Sequence, residues 1–179
     1  SIGSAIGGSG GDGKNSSGAG DGIYSYGELK IEGGTIGTAQ GGNATASDKD
    51  GGNGIRNYGQ FTMSSGTITN ALGGNGKSGG NGIYCGDALN ISGGEIKQTT
   101  GGKATGKVVI GGYGIRSNVA LNISGGGKIQ QTTGGKATGS HGIGGTGIGS
   151  NGKLTISGGE IQQATGGEAT GTLGNGGSG

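Results

Sequence analysis

The sequence predicts an all-β chain: a parallel β-solenoid, or β-helix, of five to six coils of 28–33 residues closed by glycine-rich loops. Two observations carry this. One unit recurs at a fixed period, and within each unit the apolar residues alternate as they do along a strand. A third excludes the rival readings of so much glycine. Of 179 residues 56 are Gly and none is Pro, so there is neither the third-residue glycine nor the imino acid of collagen. A flexible linker, for its part, has no cause to restore Leu-x-Ile-Ser-Gly-Gly-x-Ile copy after copy.

The copies align on a Gly-Ile step at Ile23, Ile55, Ile83, Ile115 and Ile148. Eight positions on stands a second apolar residue, Ile31, Met63, Ile91, Ile123 or Ile156, with Leu29, Phe61, Leu89, Leu121 or Leu154 two before it. Beyond a glycine step come Ile36, Ile68, Ile96, Ile129 and Ile161, and each copy closes on a Gly-Gly pair from Gly41-Gly42 to Gly166-Gly167. The offset to the last isoleucine is five except in the fourth copy, where an extra residue among Gly125, Gly126 and Gly127 makes it six. The units run 20–51, 52–79, 80–111, 112–144 and 145–179, after a partial unit 1–19 whose front half is absent.

Within the first full unit the predicted strands lie near 23–25, 29–32 and 35–38, with bends at Gly27 and Gly33-Gly34. Helix is opposed by glycine every three or four residues, each costing about 1 kcal/mol relative to alanine. Four large apolar side chains per coil do not offset the entropy of ordering some thirty residues. Each coil must therefore lay its strands against its neighbours in parallel ladders about 4.8 Å apart. Right-handed winding is the default for parallel crossovers. The Ile-to-Ile spacings of 32, 28, 32 and 33 follow the closing segments, 41–54, 73–82, 101–114 and 134–147, expected to be surface loops that tolerate length change.

The net charge of +2 comes without any long basic run, which leaves no nucleic-acid footprint, and no apolar stretch reaches the ~20 residues of a membrane span. The lone Cys85 excludes an intramolecular disulfide framework. It falls in a small inward column with Ser25, Asn57, Ser117 and Ser150, as a core residue rather than a nucleophile.

Stacking turns each unit position into a column. The residue after the first isoleucine reads Tyr24, Arg56, Tyr84, Arg116, Gly149 and points outward. Phenol and guanidinium faces one coil apart suit cation-π stacking, either as a self-stabilising ladder or, extended by Tyr26 and Tyr58, as a platform for sugar rings. Charges at Glu95, Lys128 and Glu160, and at Lys103, Lys136 and Glu168, read as a solvated face with register-setting pairs. Thr100, Thr133 and Thr165, with Thr105, Thr138 and Thr170 beside Gln98, Gln131 and Gln163, form the columns an ice-binding face would use, although Leu72, Lys77 and Gln40 interrupt them.

No cofactor is expected. Calcium is the one candidate, through Asp48 and Asp50 or through Asp12 with Asp21, and the nonapeptide calcium-roll pattern is absent. Carboxylates and a base are not gathered as a polysaccharide-cleaving β-helix requires, and His141, the only histidine, lies in a closing segment, so an enzyme is not expected.

The unit Gly-Ile-x-Ser-x-x-x-Leu-x-Ile-Ser-Gly-Gly-x-Ile, as it stands at 114–129 and 147–161, resembles repeats of bacterial cell-surface parallel β-helix proteins of the adhesin and carbohydrate-binding type. The likeness spans about residues 20 to 170 and implies an extracellular or cell-surface location. The expected role is a structural or adhesive solenoid segment of a fibre or filament. Neither end carries an atypical polar capping unit, so coils are expected to associate end to end. A carbohydrate-binding module on the Tyr/Arg face is the alternative, with polysaccharide as partner.

Overall fold

A computed structural model describes residues 1–10 and 18–179. Among them there is no helix; every strand pairs in parallel with its counterpart one coil away, and the chain is a β-solenoid of about five turns. The aligned columns are the observed ladders. Ile23–Ser25, Ile55–Asn57, Ile83–Cys85, Ile115–Ser117 and Ile148–Ser150 form one five-stranded sheet, with Ile23 opposite Ile55, Ile55 opposite Ile83, and so on to Ile148.

A larger sheet of nine strands carries the rest of the main lobe. Its strands are Leu29–Gln40 and Phe61–Leu72 in the first two coils, where one strand runs through the corner, and separate pieces such as Leu89–Ile91 and Glu95–Thr100 thereafter. The third strand of each unit extends beyond its expected end near residue 38, to Gln40 and its equivalents. The additional glycine of the fourth coil is absorbed in a tight turn. Gly127 N donates to Ser124 O at 2.8 Å, Gly125 and Gly126 take φ of +54° and +89°, and the register resumes at Lys128 opposite Glu95.

Alternation sends the isoleucine, leucine, Phe61 and Met63 columns inward, and in coils two to four they are completely buried. Ile23, Leu29, Ile36, Ile148 and Ile161 of the outer coils are partly buried and pack against the same core. A second inward column, Ala39, Ala71, Thr99, Thr132 and Ala164, includes two buried hydroxyls. Thr99 Oγ1 donates to Thr132 Oγ1 at 2.8 Å, and that oxygen's proton goes to Gly147 O at 2.7 Å, so neither is left unpaired.

The closing segments are not the surface loops the sequence led us to expect. They build a second, smaller lobe with its own ladders: Ala104–Thr105, Ala137–Thr138 and Ala169–Thr170 stack in one sheet, and Val108–Ile110 pairs with His141–Ile143 in another. Ala104, Val109 and Ala137 make its small buried core, with Ala169 against it. Even the shortened second segment joins these ladders, through bridges from Gly76 to Ala104 and from Ser78 to Ile110.

Between the lobes lies a waist made almost entirely of glycine backbone. Each coil crosses it twice, outward through one Gly-Gly pair and back through another: Gly51-Gly52, Gly79-Gly80, Gly111-Gly112, Gly144-Gly145 or Gly176-Gly177. The two crossings interleave. Gly74 N donates to Gly52 O at 2.8 Å, Gly80 N to Gly74 O at 2.9 Å, Gly102 N to Gly80 O at 2.7 Å and Gly112 N to Gly102 O at 3.0 Å, and the zigzag runs the length of the array. A Cβ on Gly112 would fall on the carbonyl of Gly80, and one on Gly80 on the carbonyl of Gly52, so this spacing admits glycine alone.

Candidate functional site

The column that follows the first isoleucine is outward, as its position in a half-buried strand dictates, with Tyr24 opposite Arg56, Arg56 opposite Tyr84 and Tyr84 opposite Arg116. Its side chains divide into two groups. Tyr24, Tyr26 and Tyr58 form an exposed aromatic patch: the Tyr24 and Tyr26 rings meet edge to face at 5.4 Å, and Tyr26 and Tyr58 stack at 5.2 Å. Arg56 Cζ stands 5.1 Å from the Tyr58 ring centre and 5.7 Å from that of Tyr84, binding this patch to the next coil. Tyr84 meets Tyr58 edge to face at 6.1 Å, and its hydroxyl accepts Asn118 Nδ2 at 2.7 Å. Contact with Tyr26 raises the Tyr24 hydroxyl from 10 to about 12.

Arg116 is drawn elsewhere. Its guanidinium covers the Tyr113 ring at 5.1 Å, a residue the repeat alignment did not single out. Tyr113 escapes a column search because its equivalents are Asp21, Asn53, Asn81 and Thr146, none of them aromatic. One signal for it was available: Gly149 breaks the Tyr/Arg column, and a Cβ there would stand 2.5 Å from Tyr113 Cε1. The missing side chain makes room for the ring.

Arg56, Tyr84, Tyr113 and Arg116 line a groove of about 480 Å³ in the angle between the lobes, floored by the glycine pairs and bounded at one end by Asp21 and Asp50. An asparagine ladder anchors the floor. Asp21 Oδ1 accepts Asn53 N and Nδ2 at 2.7 and 2.8 Å, Asn53 Oδ1 accepts the same pair from Asn81 at 2.9 and 2.8 Å, and Asn81 Oδ1 accepts Tyr113 N at 2.9 Å. The groove is therefore backbone below, aromatic and cationic on one wall, and rich in carbonyls and amides. Such a surface can hydrogen-bond hydroxyls and stack a flat apolar face.

The other candidates fall into place around it. Cys85 is buried, its Sγ 3.4 Å from Ala88 O and 3.5 Å from Gly59 O, and burial pushes its thiol up, away from nucleophilic thiolate. Of the calcium candidates, Asp21 is engaged as described, Asp50 Oδ1 accepts Ser78 N at 3.0 Å, and Asp48 lies 3.5 Å from Lys49 Nζ; Asp12 lies outside the described residues. No group of three or more His, Cys, Asp or Glu gathers among the described residues. His141 is exposed on its short strand, Nδ1 3.3 Å from Ser140 Oγ.

The charge columns give exposed pairs, Lys128 with Glu160 at 4.0 Å and Lys136 with Glu168 at 3.2 Å, each worth at most about 1 kcal/mol. The threonine columns stack in register but on two different sheets, Thr100 with Thr133 and Thr165 in the main lobe and Thr105 with Thr138 and Thr170 in the side lobe. Comparison with known proteins adds no relative: no family model matches the chain, and neither a curated protein nor a solved structure is similar to it.

Proposed function

We propose that this solenoid is a rigid extracellular segment of a structural or adhesive surface fibre, extended by further parallel coils stacked on its ends. The supporting observation is the condition of the end coils. Leu154 and Ile156 are 47% and 49% exposed where their equivalents in the three preceding coils are buried, and Ile2, in the column of Ile36, is 43% exposed at the opposite end. Open parallel ladders beside apolar columns recruit further strands. In the array's own register Ile2 of a second copy would follow Ile161, and Ala5 would follow Ala164, since Ile2 pairs with Ile36 and Ala5 with Ala39. Such a joint is noncovalent, made of ladder hydrogen bonds and apolar contact. Assembly is accordingly expected to depend on concentration. Electron microscopy at micromolar to millimolar protein should show rods lengthening with concentration, and Ile161→Lys should shorten them. Particles of one size at every concentration, unchanged by that substitution, would sink the fibre reading.

A second reading, binding of carbohydrate, is favoured by the groove and the tyrosine patch: rings for sugar faces, with backbone and amide groups for hydroxyls. On a glycan array the protein should retain oligosaccharides and lose them on Tyr84→Ala. An identical array pattern for that variant would reject it.

A further inference from the structure

The two arginines of the groove are not equivalent. Arg56 Nη1 lies 3.5 Å from Oδ2 of Asp21, whose side chain is 8% exposed, so a carboxylate of the protein already answers this cation. Two coils on, the place that Asp21 holds relative to Arg56, thirty-five residues earlier in the chain, is held relative to Arg116 by Asn81. Asn81 has no charge, and its Oδ1 is already occupied by Tyr113 N. Both arginines bury an Nε without a hydrogen-bond partner and both line the groove, but among the described residues Arg116 alone of the two has no ion pair. An uncompensated, partly desolvated guanidinium over an aromatic ring is a seat for a planar anion. At the other end Asp21 and Asp50 repel one.

We propose that Arg116 is the anion anchor of the groove. A carboxylate-bearing sugar lays its ring against Tyr113 and Tyr84 and places its carboxylate on Arg116, where the protein's own acid stands for Arg56; hydroxyls of the neighbouring neutral sugar reach toward Asp21 and Asp50. This deepens, and rests on, the carbohydrate reading. The binding is noncovalent and needs no metal.

The test compares two oligosaccharides of equal length by titration calorimetry, one alternating glucuronate with N-acetylglucosamine and one of N-acetylglucosamine alone, on the wild-type chain, Arg116→Gln and Asn81→Asp. The second variant writes into the Arg116 site the acid that the Arg56 site already has, at the loss of the Asn81 Nδ2 donation to Asn53 Oδ1, so its unfolding temperature and circular dichroism are measured alongside and Arg116→Gln, which leaves that ladder untouched, serves as the independent variant. The acidic oligosaccharide should bind the wild type more tightly than the neutral one, lose affinity as salt is raised, and lose tenfold or more with either substitution, while the neutral one is unaffected. Equal binding of both oligosaccharides, or acidic binding that neither substitution weakens, overturns the anchor and leaves the carbohydrate reading standing. Binding of neither to the folded wild type overturns both.

Discussion

The main lobe and the side lobe are stacked by the same kind of parallel ladder but are held by different material. In the main lobe each coil contributes four large apolar side chains to columns that are completely buried through coils two to four. In the side lobe a coil contributes an alanine and at most one valine, and the ladders are two or three residues long. The waist between them has almost no side chains, only interleaved peptide hydrogen bonds. Close packing of backbone on backbone thus does for the waist what branched side chains do for the main lobe, and it leaves less room for substitution.

This contrast can be broken at three depths. Gly112→Val should be the most damaging change, about 4 kcal/mol or more, because the new side chain meets the Gly80 carbonyl and separates the bonds to Gly102 and Gly135. Urea unfolding monitored by circular dichroism should show collapse of the transition; a shift no larger than that of Ile123→Ala would mean that the waist yields. Ile123→Ala, which opens a cavity in the main core, should cost about 3 kcal/mol. Val109→Ala should cost only about 1.5 kcal/mol. Hydrogen exchange on that variant should accelerate at Ala104 and Ala137 and not at Ile115; equal acceleration on both sides would show the lobes to be one cooperative unit.

The smallest effect belongs to the tyrosine patch. Because the Tyr24 hydroxyl is raised from 10 to about 12 by its contact with Tyr26, its share of stability is complete below pH 10 and is lost as pH rises toward 12. Near-ultraviolet difference titration of the wild type against Tyr24→Phe should isolate a tyrosinate transition near 12, and the same difference taken in a Tyr26→Phe background should return toward 10. A Tyr24 difference transition already at 10 in the wild type would place the two rings apart.

Most of the main lobe could be read from the sequence, since large apolar residues at fixed offsets leave a period that survives every change of loop length. The side lobe could not, because Ala104, Val109 and Ala137 are too small and their strands too short to impose one. The waist left a trace that the apolar alignment passed over: the second glycine pair recurs with its later residue three positions before Ile55, Ile83, Ile115 and Ile148. At the site, the alignment supplied Tyr24, Arg56, Tyr84, Arg116, Tyr26 and Tyr58, but only the fold separates Arg116 from the tyrosine patch and sets it over Tyr113. That partition depends on where rings lean between coils, which no linear spacing records.

The glycine pairs on either side of each side-lobe segment also make that segment exchangeable. Residues 75–78 do in four residues what 43–50, 103–110, 136–143 and 168–175 do in eight, and the coils before and after keep their register. A foreign peptide spliced between Gly74 and Gly79 would leave and re-enter the stack through a gate already closed by hydrogen bonds, making this a natural graft point for displaying sequences at regular intervals along a rod.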